Sequence, residues 1–467
     1  LAAIESFQRE VTDSARGKGT GNRVQAAIRR EHSPLWWSKA AALLSISSMP
    51  CCAPDEANSR DDYIDVGVIL PFTGIEAATG RNIEQAILLA AEDINGAGGI
   101  QGRPIRILSR DSNSGSERGF QSLLGLLYDD EVKYLIGPEE NELALESVPD
   151  IKGLDVLNIL PGYTSPSIQR TSTRGAWLRL APTSAAVGCA MAKHAVQEGA
   201  DTANVLVLSG DYNASLASDF GAQFGQLGGR TLPSVTADAD ASGYVGAISQ
   251  VFSYKADRTL LIANPTAAST IATEWVIGGR RGFWYLSPML KADVLLLNIP
   301  YGALDGYFGL SPSLSLASEC SGVASNAQGY VGCSRANATA FSEHFASRWD
   351  QDRPFLTSQF YYDAVVLLAM GLQYGVAVDG ELPNTRVLQK YIRGMGTEVG
   401  QQVSWQDLDR AMGLVASGST VRYAGAAAEY HFDEFGAAKH VVFDTWTAHG
   451  QSFQDTGTFF ADCPKNK

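Results

Sequence analysis

The sequence predicts an α/β protein made of two doubly wound units, each a parallel sheet with helices on both faces. Short apolar, β-branched runs alternate with amphipathic stretches of helical period. The rhythm stops near Pro182 and then restarts. Forty-seven glycines supply turn positions between the runs. Strands separated by helices of roughly 10–15 residues are spaced for parallel crossovers, not for hairpins.

The folded part opens at about Asp62. YIDVGVILPF reads as a buried strand ending in a turn at Pro71 and Gly74. NIEQAILLAAEDIN places Ile83, Ala86, Ile87, Ala90 and Ile94 at helical spacing, and the glycines of NGAGGIQGRP stop that helix. IRILSRD is a strand, SERGFQSLLGLLYDD a helix and VKYLIG a strand. Glu140 to Val148 is a short helix, and VLNILP is the next strand.

After Trp177 to Pro182 comes the helix AAVGCAMAKHAVQ, the strand NVLVLSG and the helix SLASDFGAQFGQLGG. YVGAISQVFSYK is a helix, TLLIANP a strand, STIATEWVIG a helix and GFWYLS a strand. The later chain reads as mainly helical through ANATAFSEHFASRWD, SQFYYDAVVLLAMGLQYG and TRVLQKYIRGM. Ser404 opens a helix, LDRAMGLVASG, with Asp407 in its first turn. AAAEYHFDEFG and AKHVVFDTWTAHG are strand-like and close the chain. Beyond the N-terminal segment, no stretch is read as long enough to span a membrane.

The net charge of −14, with no basic patch, argues against nucleic acid and anionic membrane surfaces as partners. Arg29, Arg30 and Lys39 precede the apolar run Ala40 to Ile46 and then Cys51 and Cys52, the order of a signal peptide. Cys51 or Cys52 is thus a candidate lipidation site, the one expected membrane attachment, with plain secretion or an amphipathic helix as rival readings. The first 28 residues, read as an over-extended start, stand outside the fold argument, and residues 53–61 read as a flexible linker. In an oxidising compartment Cys320 and Cys333 bracket a loop they would close. Cys189 and Cys463 form a second candidate pair or remain free thiols.

The run VGVILPFTG, then Gly80, LAAEDINGAGGIQGRPI and Asp111, resembles the opening of type I periplasmic binding proteins, the branched-chain amino-acid-binding family related to receptor ligand-binding regions. VKYLIGP, ILPGYTSP, WLRLAPTSAAVG, YYDAV, YHFDEFG and FDTW follow in that family's order, so the resemblance covers residues 62 to about 450. It implies two lobes joined by a three-crossing hinge. Lobe 1 would be 62–181 plus 312–437 and lobe 2 would be 182–311 plus 438–467. It also implies ligand capture in the cleft, export to the periplasm or cell exterior, and a partner ABC permease.

Parallel α/β sheets bind ligands beyond the carboxyl ends of their strands, where helix N-termini supply N–H donors. Candidates in the first half are Thr73, Gly74, Thr79 and Gly80, then Glu139, Glu140 and Asn141, then Gly162, Tyr163, Thr164 and Ser165. In the second half they are Asp211, Tyr212, Asn264, Ser287 and Met289. The resemblance implies a carboxylate grip by hydroxyls and main-chain N–H groups after the third and fourth strands. Gly162 and Thr164 match that pattern, whereas the glutamates replace serines, and Met289 stands where relatives place the acid that pairs with a ligand ammonium. Two readings of the glutamates are open: solvent-facing carboxylates in a first turn, or cleft carboxylates that select a cationic or hydroxyl-rich ligand. Tyr163 and Tyr212 would contact ligand or rim the cleft, while Tyr362 and Asp363 pack between elements.

There is no G-x-S-x-G elbow and no P-loop. His431, Asp433, Glu434 and His440 read as β-turn decoration, so no metal, cofactor or catalytic residue is expected. The expected function is capture of a small polar ligand, such as an amino acid or amide, for import. The alternative is a sensory module that transports nothing.

Overall fold

The computed structural model describes residues 62–467, except 75, 116, 163–164, 166, 169–176, 321–329, 332, 351, 398, 440–441 and 462–467. Cys51, Cys52 and Cys463 therefore lie outside the described residues.

The first sheet contains β1 (Ile64–Leu70), β2 (Ile105–Asp111), β3 (Tyr134–Ile136), β4 (Leu157–Leu160) and β5 (Trp177–Arg179). Its order is β2-β1-β3-β4-β5 and every pairing is parallel. Burial on both faces explains why β1 reads IDVGVIL, a nearly continuous apolar run. The crossovers are α1 (Ala77–Gly96), α2 (Glu117–Leu124) with a π turn, α3 (Asn141–Glu146) and α4 (Val148–Leu154).

The second sheet begins after α5 (Ser184–Gln197) with β6 (Thr202–Leu208). Helix α6 (Asp211–Gln226) leads to short strands β7 (Arg230–Thr231) and β8 (Val235–Ala237), both paired with β6. Then come α7 (Val245–Ser253), β9 (Arg258–Ile262), α8 (Pro265–Ile277), β10 (Trp284–Leu286), α9 (Asp293–Leu297) and β11 (Phe308–Pro312). Strands β6, β9, β10 and β11 run parallel.

After a short helix, α10 (Ala317–Cys320), strand β12 (Tyr330–Val331) precedes α11 (Ala336–Arg348), α12 (Ser358–Asp379) and α13 (Thr385–Gly394). A small parallel pair, β13 (Gln401–Ser404) and β14 (Val421–Ala424), encloses α14 (Leu408–Ala416). The chain then returns to the second sheet as the antiparallel hairpin β15 (Val442–His449) and β16 (Ser452–Phe460), with β15 against β11 and β12 on the outer edge.

Four findings correct the sequence reading. The second sheet is mixed, because β12, β15 and β16 add antiparallel strands to its parallel core. Strand β12 pairs with this sheet although residues 312–437 were expected in the first lobe. AAAEYHFDEFG is not a strand and makes only isolated bridges, because its polar groups bond locally around Asp433. Helix α12 is long and apolar enough to cross a membrane by length and composition. It is instead a core helix, 83% buried in its most apolar stretch and packed on α1, α13 and α14.

Cys320 and Cys333 are bridged as expected. Cys189 is buried and disulfide-bonded as well. Just past Cys333, the Arg335 guanidinium pairs with Asp444 at 3.0 Å and with Asp455, which also binds Lys291 at 2.6 Å. This polar chain ties the start of α11 to β15, β16 and the turn after β10.

Candidate functional site

Both sheets reverse their order beside their first strand. In the first sheet the reversal lies between β1 and β3, and in the second between β6 and β9. Neighbouring crossovers leave such a point in opposite directions, which opens a crevice at the carboxyl ends of the strands. The two crevices face each other: the Ser165 hydroxyl, after β4, donates to the Asp211 carboxylate at the start of α6. Ser165 is fully buried, and its N–H donates to Asn141 Oδ1 at 2.6 Å. Asn141, Ser165 and Asp211 thus lie together across the gap. Tyr163 and Thr164 lie outside the described residues.

Glycine shapes the first side. A Cβ on Gly80 would fall 1.9 Å from the Pro71 carbonyl oxygen, so only glycine lets α1 start this close to the loop after β1. Thr79, one residue earlier, donates to Glu76 at 3.1 Å. A Cβ on Gly162 would fall 2.2 Å from a Glu139 carboxyl oxygen, so the side chain of Glu139 lies flat against bare backbone. Thr73 and the backbone N–H groups of Phe72 and Asn113 converge on Asp111. Partial burial opposes ionisation of Asp111, but these donors outweigh it and hold the carboxyl below its usual range.

The two glutamates do not face solvent from a first turn, which corrects that reading. Both precede α3 and are half-buried. Glu139 turns inward and accepts the hydroxyl of Tyr361, a fully buried residue of α12. Burial pushes the Glu139 carboxyl up to about 8, and the charges of Glu140 and Glu76 add to this against the Tyr361 hydrogen bond. Burial also raises Glu140, opposed by a hydrogen bond from Ser112 and reinforced by Glu76 and Asp111. The second Glu140 oxygen is buried without a hydrogen-bond partner. The first side therefore presents two inward-turned carboxyl groups where the resemblance implies hydroxyls.

On the second side the candidates separate. Asp211 reaches the gap. Tyr212 belongs to the core with Leu216 and Phe220 and is 5% exposed, so it does not rim the cleft as a free stacking surface. The recurrence of apolar residues at 212, 216, 220 and 224 was the signal that could have placed it there. Asn264 caps α8 by accepting the Ala267 N–H at 2.8 Å, which commits its carbonyl oxygen. The Ser287 hydroxyl, at the carboxyl end of β10, is buried without a partner. Met289 is half-buried and packs against the main core. Among the described residues no group of three His, Cys, Asp or Glu side chains is arranged to hold a metal ion.

Sequence reasoning missed Tyr361 as the partner of Glu139 but placed Tyr362 and Asp363 between elements. Tyr362 donates to Asp93 of α1 at 2.7 Å. Asp363 accepts Tyr423, Tyr430 and the N–H groups of Ala426 and Ala427, all at 2.7–2.8 Å.

The Ser165–Asp211 hydrogen bond joins the two sides. Asp211→Ala is expected to move the ligand-free protein toward an open form, by about tenfold in the open-to-closed ratio for one charge-assisted hydrogen bond. Small-angle scattering checks this: the variant should show a larger radius of gyration, and an unchanged profile would deny the contact that role.

Two facing switch points on doubly wound sheets, connected by repeated chain crossings, define a bilobed ligand-binding protein of the type I periplasmic binding fold. Residues 63–398 match the periplasmic binding protein family, and the chain belongs to it. Over 78% of its length it is 23% identical to the chemotactic signal transduction system substrate-binding protein BasB of Halobacterium salinarum, covering 82% of that protein. Its fold is similar to that of the leucine-binding protein LivK from Thermotoga maritima, at a TM-score of 0.68 and 18% identity, covering 85% of this chain and 99% of that one. It is also similar to the branched-chain amino acid transporter substrate-binding protein LivJ from Streptococcus pneumoniae, solved with isoleucine, at a TM-score of 0.64 and 15% identity, covering 85% and 99%.

Proposed function

We propose that this protein captures a small polar solute, an amino acid, amide or related compound, by closing two lobes on it. It acts outside the cytoplasm, carries out no catalysis and hands its ligand to an ABC permease. The lobes are 62–181 plus 312–437 and 182–311 plus 438–467, except that β12 goes with the second. Cys51 or Cys52 is the candidate anchor. The observation that carries this reading is the meeting of Ser165 and Asp211 across the gap between the two switch points. A solute touching both sides favours closure because only the closed form offers both sets of contacts. The unpaired Glu140 oxygen and Ser287 hydroxyl are groups that a ligand would complete.

The relative BasB supports a second reading, in which the same closure is read by a sensory partner and nothing is imported. Thermal-shift screening of the full chain against amino acids, amides, polyamines and sugars tests the capture itself, since a ligand at about 100 times its Kd stabilises by about 2.7 kcal/mol. No shift with any of them would count against this reading. Once a ligand is found, Glu139→Gln combined with Glu140→Gln is expected to weaken it by about tenfold or more. Unchanged affinity would remove these carboxylates from recognition.

A further inference from the structure

A cavity lies at the opposite end of the second sheet from the gap. It is a groove of about 520 Å³ between α7 and α8, within the range of small-molecule sites. Its other wall is made by the turns before β9 and β10, at Lys255–Ala256 and Arg281–Gly282. These are the amino ends of the strands, so the full length of the second sheet separates the groove from the gap at their carboxyl ends.

The groove is built from a hydrophobic floor and a cationic rim. Trp275 is 1% exposed and is fixed by its indole N–H, which donates to the Arg281 carbonyl at 2.7 Å. Phe252 packs edge-on against Trp284. A Cβ on Gly282 would fall 2.2 Å from the Phe252 ring, so the turn can cross that ring only as glycine. Lys255 and Arg281 are exposed on the rim, and neither enters an ion pair among the described residues. The acid of the lining, Glu274, is already committed to the Tyr244 N–H at 2.7 Å. The lining thus carries two cations, Lys255 and Arg281, against the single carboxylate of Glu274, above an aromatic and aliphatic floor, in a chain whose net charge is −14.

We infer that this groove is a second ligand site, separate from the interlobe gap, that takes an amphiphilic monocarboxylate: an apolar chain or ring on Ile248, Phe252 and Trp275, with its carboxylate between Lys255 and Arg281. A guanidinium and an ammonium at the mouth of a low-dielectric slot attract an anion more strongly than either would in open water. A neutral molecule of the same shape keeps the apolar contacts and loses that attraction. Occupancy of the gap is not required, because no residue of the groove takes part in the Ser165–Asp211 contact.

Isothermal titration of the full chain with octanoate, and with octanamide as the uncharged analogue, tests the site. Octanoate should bind saturably at one site and about tenfold or more tighter than octanamide. Ser249→Trp, an exposed lining position, should abolish binding by filling the slot. Lys255→Gln with Arg281→Gln should reduce octanoate affinity to that of octanamide, and Asp211→Ala should leave it unchanged. Far-ultraviolet circular dichroism identifies any variant that fails to fold. Equal binding of acid and amide, survival of binding in Ser249→Trp, or loss of binding only in Asp211→Ala would overturn the inference, the last by placing octanoate in the gap.

Discussion

Glu139→Gln is expected to remove a stability loss that the native protein suffers as pH rises from about 4.5 to about 8. In the folded chain the Glu139 carboxyl is pushed up to about 8 from an ordinary value of 4.5, chiefly by burial and then by the nearby charges of Glu140 and Glu76. Between those pH values the unfolded chain has lost the proton and the folded chain keeps it. Stability from this group is therefore fully present below about pH 4.5 and is lost as pH rises through about 8. Glutamine holds the same shape, accepts the Tyr361 hydroxyl and never ionises.

Well above pH 8 the variant should exceed the native protein by about 5 kcal/mol, at about 1.4 kcal/mol for each pH unit between 4.5 and about 8, with the difference vanishing near pH 4. Urea denaturation of both proteins at several pH values provides the measurement. Parallel curves for the two proteins would mean that Glu139 ionises as freely in the folded chain as in the unfolded one. Because Glu140 sits beside it, the two carboxyls titrate as a pair, and the Glu140→Gln background separates their contributions.

Residues near one another in sequence were legible. The apolar run of β1, the helical spacing of α1 and the glycines after it are set by local sterics and by burial of one face, and both leave marks in the chain. The short helix expected over Glu140 to Val148 is instead two, α3 and α4, and Pro149 occupies the first turn of α4, where a missing N–H costs nothing. Strand β16 was hard to read because SFQDTGTFF is mostly exposed and polar and lacks a regular alternation, although Phe453 and Phe459 pack on the core and the hairpin hydrogen bonds to β15 hold the rest.

The site shows the same limit. Its location followed from a general rule about strand ends, and Ser165 and Asp211 do lie at such ends. The orientation of Glu139 depended on Tyr361, 222 residues away, and on the absence of a Cβ at Gly162. Nothing in the run PEENEL distinguishes a carboxylate in a first turn from one folded into the interior.

Asp363→Ala is expected to cost about 3–5 kcal/mol, a large part of the stability of a typical domain. Asp363 is fully buried on α12 and gathers two tyrosine hydroxyls and two backbone N–H groups from residues 423–430. Alanine would leave all four donors buried and unpaired. The neighbouring Gly425 is part of the same arrangement, since a Cβ there would fall 2.3 Å from an Asp363 oxygen, and Gly425→Ala should destabilise by the same route. The segment these bonds anchor runs on to Gly436–Ala438, which lies beside β5 before the chain crosses to β15. Loss of the anchor should therefore loosen a hinge strand as well as the core. Chemical denaturation would give the stability change, and amide hydrogen exchange should show faster exchange at Ala426, Ala427 and Ala438. A variant within about 1 kcal/mol of the native protein would mean that solvent reaches these groups and that Asp363 is not the anchor of this segment.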